Sequence, residues 1–245
     1  MPLERIDKII ASQGELSRSD AKKLLSDGAV AVNGKQVRDC SFKADIDADI
    51  VCIHGKPLRS GKYIYIMLNK PTGVVSASRS SGKGEKTVVE LVPRSMKRSG
   101  LFPAGRLDSD STGFVLITDD GEFAHRILSP SNHVEKTYEV TLSHQADIER
   151  YTEAFSKGLV LSDGTRLLSA DVRMLSDGER PVLEVVLREG RYHQIKRMFA
   201  ALGNHVEALR RTKIGGLELD AALPEGECRE LTAEEVSEIT QKPNW

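Results

Sequence analysis

Three short stretches of this 245-residue chain concentrate side chains able to do chemistry. The first is Gly105-Arg106-Leu107-Asp108-Ser109-Asp110-Ser111-Thr112-Gly113, a polar, glycine-bounded loop that leads into an apolar run. A carboxylate held there is rigid yet reachable, as catalysis by a carboxylate requires. Taken alone, an Asp in such a loop is more often an Asx turn or a cap. The second is Tyr138 within an alternating run, where ordinary β packing is the simplest role. The third is Arg188-Glu189-Gly190-Arg191-Tyr192-His193-Gln194-Ile195-Lys196-Arg197, a glycine turn feeding a helix crowded with cations. Its simplest role is a solvated face. A different chemistry, metal-dependent RNA cleavage with Asp108, Asp110, Asp119 and Asp120 as oxygen ligands, is also open, although their spacing matches no recognisable nuclease arrangement.

The elements that must position these residues follow from periodicity. Ile6, Ile9 and Ile10 predict a helix ended at Gln13-Gly14. Ser17 and Asp20 form a capping box for a second helix with Ala21, Leu24 and Leu25 as its apolar face, stopped at Gly28. Residues 29–32, the pair Asn33-Gly34 and a return through Val37 predict a hairpin with a type I′ turn, and 49–53 a further strand. Residues 59–62 read as a linker between a module at 1–58 and a larger domain at 63–245.

In that larger domain 63–68, 113–118, 136–142, 182–188 and a segment near 166–174 read as strands, with another near 205–211. Helices are predicted from Gly121 towards Pro130, over 147–157 ended by Gly158, and over 192–202 with Ile195, Met198, Phe199 and Leu202 as the core stripe. A terminal helix begins at Thr232, with Glu235 completing its capping box. Strands outnumber helices without alternating with them regularly. The fold class is therefore α+β: a small N-terminal module followed by a domain built on a largely antiparallel, mixed sheet. Residues 76–87 lack an apolar period and are rich in Ser, Gly and Lys, which reads as a mobile basic loop.

Apolar residues make up 39% of the chain and charged residues 29%, which excludes a membrane protein and argues against a mostly disordered one. The opening Met1-Pro2-Leu3-Glu4-Arg5 lacks the basic-then-apolar pattern of a secretory signal. Cys40, Cys52 and Cys228 are far apart and unpaired in spacing, so neither a disulfide framework nor a Cys-rich zinc site is expected, and the cytoplasm is the expected location. Net charge is −1, but it is segregated. Residues 70–106 carry +6, residues 186–213 carry +5 and residues 214–245 carry −6. Two basic stretches meeting in the fold would make a local positive surface, suited to a polyanion despite the neutral total.

The sequence around these residues resembles known families. Arg5-Ile6-Asp7-Lys8, Ser17-Arg18-Ser19-Asp20-Ala21-Lys22-Lys23 and Gly28-Ala29-Val30-Ala31-Val32-Asn33-Gly34 together resemble an S4 RNA-binding domain. That resemblance implies RNA contacts through Arg5, Lys8, Arg18, Lys22 and Lys23. Further along, Leu68-Asn69-Lys70-Pro71-Thr72-Gly73, Gly105-Arg106-Leu107-Asp108, Lys136-Thr137-Tyr138 and Glu189-Gly190-Arg191-Tyr192-His193-Gln194-Ile195-Lys196-Arg197-Met198-Phe199 resemble the RsuA branch of the pseudouridine synthases. The continuation Ala200-Ala201-Leu202-Gly203-Asn204-His205-Val206 looks most like the enzymes of small-subunit ribosomal RNA, whereas large-subunit relatives carry Asn-Arg at the place of His193-Gln194.

The resemblance implies a uridine isomerase with Asp108 as the catalytic carboxylate, Lys196 as its ionic partner and Tyr138 as the stacking face for an extruded base. It implies that Arg106 fills the space the base vacates, and that Lys70, Gln194 and Arg197 join the RNA contacts. The reaction neither oxidises nor hydrolyses, so no cofactor and no metal are expected. The implied partner is ribosomal RNA, naked or in an assembling particle, approached by a monomer away from any membrane.

Overall fold

The computed structural model describes residues 3–13, 16–46, 48–58, 61–82, 84–132 and 134–241. Met1, Pro2, the helix end expected at Gly14, the linker residues Arg59 and Ser60, and Lys83 of the basic loop lie outside the described residues. The chain forms two compact units. The first joins residues 1–64 to 92–101 and 118–120; the second holds 65–91, 102–117 and 121–245.

In the first unit, strand β1 (Glu4–Arg5) precedes helix α1 (Ile6–Ser12), and helix α2 (Arg18–Ser26) follows. The Ser17–Asp20 capping box forms as the sequence predicts, and Ile6, Ile9, Ile10, Ala21 and Leu25 are fully buried. Strands β2 (Val30–Val32) and β3 (Lys35–Gln36) make the expected hairpin. Asn33 and Gly34 between them have φ of 50° and 77°, the paired positive values a type I′ turn requires. Strand β4 (Lys43–Ala44) pairs with β1, while β5 (Val51–Ile53) and β6 (Lys56–Pro57) complete a sheet of order β3-β2-β5-β6. Residues 92–101 join this unit through Arg98, whose nearly inaccessible guanidinium lies 3.5 Å from Asp119 and donates to the carbonyls of Gly61 and Lys62. The +6 stretch at 70–106 is thus divided between two units, and two of its cations, Lys70 and Arg98, are buried.

The second unit is built on a nine-stranded sheet. Its strands are β7 (Tyr65–Lys70), β8 (Phe102–Pro103), β9 (Thr112–Thr118), β10 (Lys136–Leu142), β11 (Asp171–Ser176), β12 (Val182–Leu187), β13 (Val206–Ile214), β14 (Leu217–Glu218) and β15 (Cys228–Glu230). The order is β11-β12-β10-β13-β9-β7-β15, with β14 on β13 and β8 on β9. Strands β10, β11, β12 and β13 pair antiparallel, while β13 and β9 run parallel. The sheet is therefore mixed and largely antiparallel, and the fold is α+β. Helices α3 (Gly121–Leu128), α4 (Ile148–Lys157), α5 (Gln194–Ala201) and α6 (Ala233–Thr240) connect or cover it.

Alternation decides which way β10 faces: Lys136, Tyr138, Val140 and Leu142 are its buried set. The expected strand near 166–174 lies instead at Asp171–Ser176, with Arg166 bridging only to Val160. The helix expected over 192–202 starts at Gln194, because His193 takes a left-handed backbone, φ 48°, that no α-helix continues. The strand expected over 205–211 runs to Ile214, and the short β15 pairing with β7 carried no local signal.

Candidate active site

Asp108 sits in the loop between β8 and β9, and that loop is fixed from three sides. The Ser76 hydroxyl donates to the Leu107 carbonyl at 2.9 Å and accepts from the Leu107 N–H at 3.0 Å. The Gly73 N–H donates to the Ser109 carbonyl at 2.8 Å. Lys70, at the end of β7, donates its ammonium to the carbonyls of Ser111 at 2.7 Å, Pro71 at 3.0 Å and Ser109 at 3.2 Å. A loop with its backbone groups occupied in this way presents its carboxylate in one place.

That carboxylate is 29% exposed and lies between two groups from α5 and its cap. Lys196 Nζ is 3.4 Å from Oδ2, and His193 Nε2 is 3.4 Å from Oδ1. Lys196 is held more tightly by Asp110, at 2.7 and 2.8 Å to its two oxygens. Burial works against the Lys196 charge, but the bond to Asp110 and the charges of Asp110 and Asp108 outweigh it and raise its pKa. The hydrogen bond from Lys196 holds the Asp110 carboxyl below its ordinary value. The ionic pair expected for Asp108 is therefore a three-membered cluster.

Asp108 opens into a cavity of about 520 Å³. Tyr138, 7% exposed, supplies an aromatic wall, and Lys136 stands two residues away on the same face of β10. Across the sheet register Tyr138 faces Arg211 of β13, whose guanidinium carbon is 6.0 Å from the ring centroid. An adjoining cavity of about 470 Å³ shares Asp108 and His193 and adds Asp110 and Lys196. Arg106, exposed, borders both. Tyr192 is 73% exposed and stacks on His193 with centroids 3.8 Å apart.

The structure brings Asp108, Tyr138, Lys196 and Arg106 together, but it reassigns other expected contacts. Lys70 is completely buried and spends its donors on backbone carbonyls, so it shapes the catalytic loop and does not reach RNA. Gln194 is buried too. Its amide donates to Glu189 at 3.1 Å and accepts from the Arg191 N–H at 2.9 Å, closing the turn before α5. Arg197 pairs with Asp163 at 2.5 Å. The second basic stretch is similarly occupied: Arg188 pairs with Glu135 and Asp171, and Arg191 with Glu189. In the first unit Arg5 pairs with Asp7 and Lys8 with Glu4, while Arg18, Lys22 and Lys23 stand exposed along α2. The basic loop is exposed from Ser78 to Lys86 among its described residues, its last residue Thr87 is buried, and the Val75 N–H donates to the Lys86 carbonyl at its base.

No three His, Cys, Asp or Glu side chains among the described residues are placed to hold a metal ion. Asp119 is engaged by Arg98 and by the Ile64 N–H. Sequence reasoning gave Asp110, Lys136, His193 and Arg211 no part in the isomerase site. Lys136 was legible, since a residue two from Tyr138 on an alternating strand shares its face. The left-handed His193 and the buried Arg211 had no local signal.

Burial pushes the Lys70 ammonium down to about 8, partly opposed by Asp110 and Asp108. The folded state therefore binds this proton less tightly than the unfolded chain. The group's contribution to stability is full above pH 10.5 and is lost as pH falls towards 8. Thermal melts should show stability rising between those values, and Lys70→Met should flatten the rise. Identical pH slopes in the two proteins would contradict this.

A family profile described as RNA pseudouridylate synthase matches residues 64–201, and an S4 domain profile matches residues 4–51. The chain is 42% identical over 236 residues to ribosomal small subunit pseudouridine synthase A of Escherichia coli, covering 96% of this chain and 99% of that protein. It is 42% identical over 234 residues to an uncharacterized RNA pseudouridine synthase of Bacillus subtilis, covering 95% and 96% of the two. A crystal structure described as a pseudouridylate synthase aligns with a TM-score of 0.65 at 40% identity, over 96% of this chain and 99% of that one.

Proposed function

The chain belongs to the RNA pseudouridylate synthases, and from that premise we propose that it converts one uridine of small-subunit ribosomal RNA to pseudouridine. The observation that carries this reading is the Asp108 carboxylate, braced by Lys196 and His193 at the mouth of a cavity walled by Tyr138. Isomerisation breaks the N1–C1′ bond, turns the base and rejoins it through C5. The carboxylate either attacks C1′ or takes the 2′ proton to leave a glycal. Both roles need it as the carboxylate anion, and Lys196 Nζ stands 3.4 Å from it.

A base paired or stacked in folded RNA must first be extruded, at a cost of a few kcal/mol. Stacking on Tyr138 offsets roughly 1–3 kcal/mol of this. Arg106, exposed at the cavity rim, enters the space the base leaves. Arg18, Lys22 and Lys23 on α2 present cations to RNA phosphates, with Arg5 and Lys8 on the same unit. We read it as a monomer working in the cytoplasm on ribosomal RNA or its assembling particle. No helix among the described residues is long and apolar enough to cross a membrane. The similarity to small-subunit synthases, together with His193-Gln194, favours that RNA over the large-subunit one. Within it, position 516 is the proposed target.

The test is a pseudouridine map of ribosomal RNA from cells lacking the protein. Loss of one small-subunit modification, restored by the unchanged gene, is expected. A map unchanged in both subunits would overturn the reading, and a loss confined to large-subunit RNA would overturn the substrate.

A further inference from the structure

Two cations line the cavity, and neither forms an ion pair with a carboxylate among the described residues. Arg211 is 4% exposed. Its Nε donates to the Phe114 carbonyl at 2.7 Å, and its Nη2 has no acceptor. Lys136 is 8% exposed and bonds only the carbonyls of Val134 at 2.7 Å and Ile127 at 3.4 Å. Burial first, and then the nearby charge of Arg211, push the Lys136 ammonium down to about 8. An uncompensated buried charge is costly, so a wall holding two such cations suits an anion.

The proposed isomerisation, on which this inference rests, creates such an anion. When N1–C1′ breaks, its electron pair stays on the uracil ring and spreads over N1, O2 and O4. The ribose is left as an ester of Asp108 or, having given that carboxylate its 2′ proton, as a glycal. Asp108 is itself negative or newly neutralised, and cannot hold the departing charge. A pyrimidine stacked on Tyr138 lies instead against the wall that Arg211 and Lys136 form. We infer that Arg211, supported by Lys136, is a catalytic residue that donates to a uracil carbonyl as the leaving group gains charge. C5 then bonds C1′, releasing the Asp108 ester or recovering the 2′ proton. The C5 proton goes to solvent and N1 takes one up, so charge and atoms balance without a co-reactant.

A leaving group that is already acidic needs this help less. The experiment uses the full chain under single-turnover conditions on a transcript of small-subunit ribosomal RNA and on the same transcript made with 5-fluorouridine. Glycosidic rearrangement is read from the chromatographic shift of the digested nucleoside. Arg211→Met should lose about 100-fold on uridine RNA, in line with loss of one preorganised donor, and about tenfold or less on the fluorinated RNA, with Arg211→Lys recovering much of the difference. Lys136→Met should show the same preference at about a tenfold loss on uridine RNA, and it decides the matter if Arg211→Met does not fold. Equal losses on the two RNAs, or no loss, would overturn the leaving-group role. Unchanged protein that converts neither RNA would overturn the isomerase reading itself.

Discussion

Asp108→Asn is expected to lose at least about 10³-fold in the release of C5 tritium from uridine-labelled ribosomal RNA, while binding that RNA within about threefold of the unchanged protein. The carboxamide is nearly isosteric but can neither attack C1′ nor accept a proton. Little else should change, because the loop does not depend on the Asp108 side chain. It is fixed by Lys70, Ser76 and the Gly73 N–H through backbone groups, and Lys196 keeps its closer partner, Asp110, at 2.7 Å. The melting temperature should therefore stay within a few degrees. Residual turnover within tenfold of the unchanged protein would remove Asp108 from the chemistry. A proportional fall in binding and turnover would make it a contact residue instead.

Gly113→Val should lower the unfolding free energy by about 3–5 kcal/mol, and the midpoint of a thermal melt by about 10 °C. Gly113 opens the buried run of β9 at a φ of 97°. A Cβ there would lie 2.3 Å from the Arg211 carbonyl oxygen and 2.9 Å from its nitrogen. Both are backbone atoms of the strand paired with it, Arg211 facing Gly113 in parallel register. No side-chain rotation relieves the clash, so β9 and β13 must separate, carrying Asp108 and Arg211 with them. Gly164→Ala isolates the cost of backbone strain alone. Gly164 has φ 82° with open space around its missing Cβ, and its change should cost only about 1 kcal/mol. Equal effects at the two positions would mean that φ, and not the close approach of the strands, governs Gly113.

Much of the scaffold was legible residue by residue because its causes are local. The capping boxes at Ser17–Asp20 and Thr232–Glu235 form as read, since each needs only groups three residues apart. Asn33-Gly34 turns its hairpin for the same reason, and the strand Lys136–Leu142 follows from its own alternation. Helix α5 was shortened because one residue, His193, takes a conformation that neighbouring residue types do not reveal.

The sequence by itself determined the α+β class, the family, and the gathering of Asp108, Tyr138 and Lys196, because those rest on periodicity, caps and motif. Only the tertiary structure decided what each cation does. Lys70 reaches Ser111 across 41 positions, Lys196 reaches Asp110 across 86, and Arg211 reaches Phe114 across 97. Lys70, Gln194 and Arg197 look like surface contacts in the chain and are tied up in the fold, while Arg211, unremarkable in the chain, stands buried in the cavity wall. Whether a charge meets water, a carbonyl, a carboxylate or a substrate depends on which distant strand is packed beside it, and no local pattern encodes that.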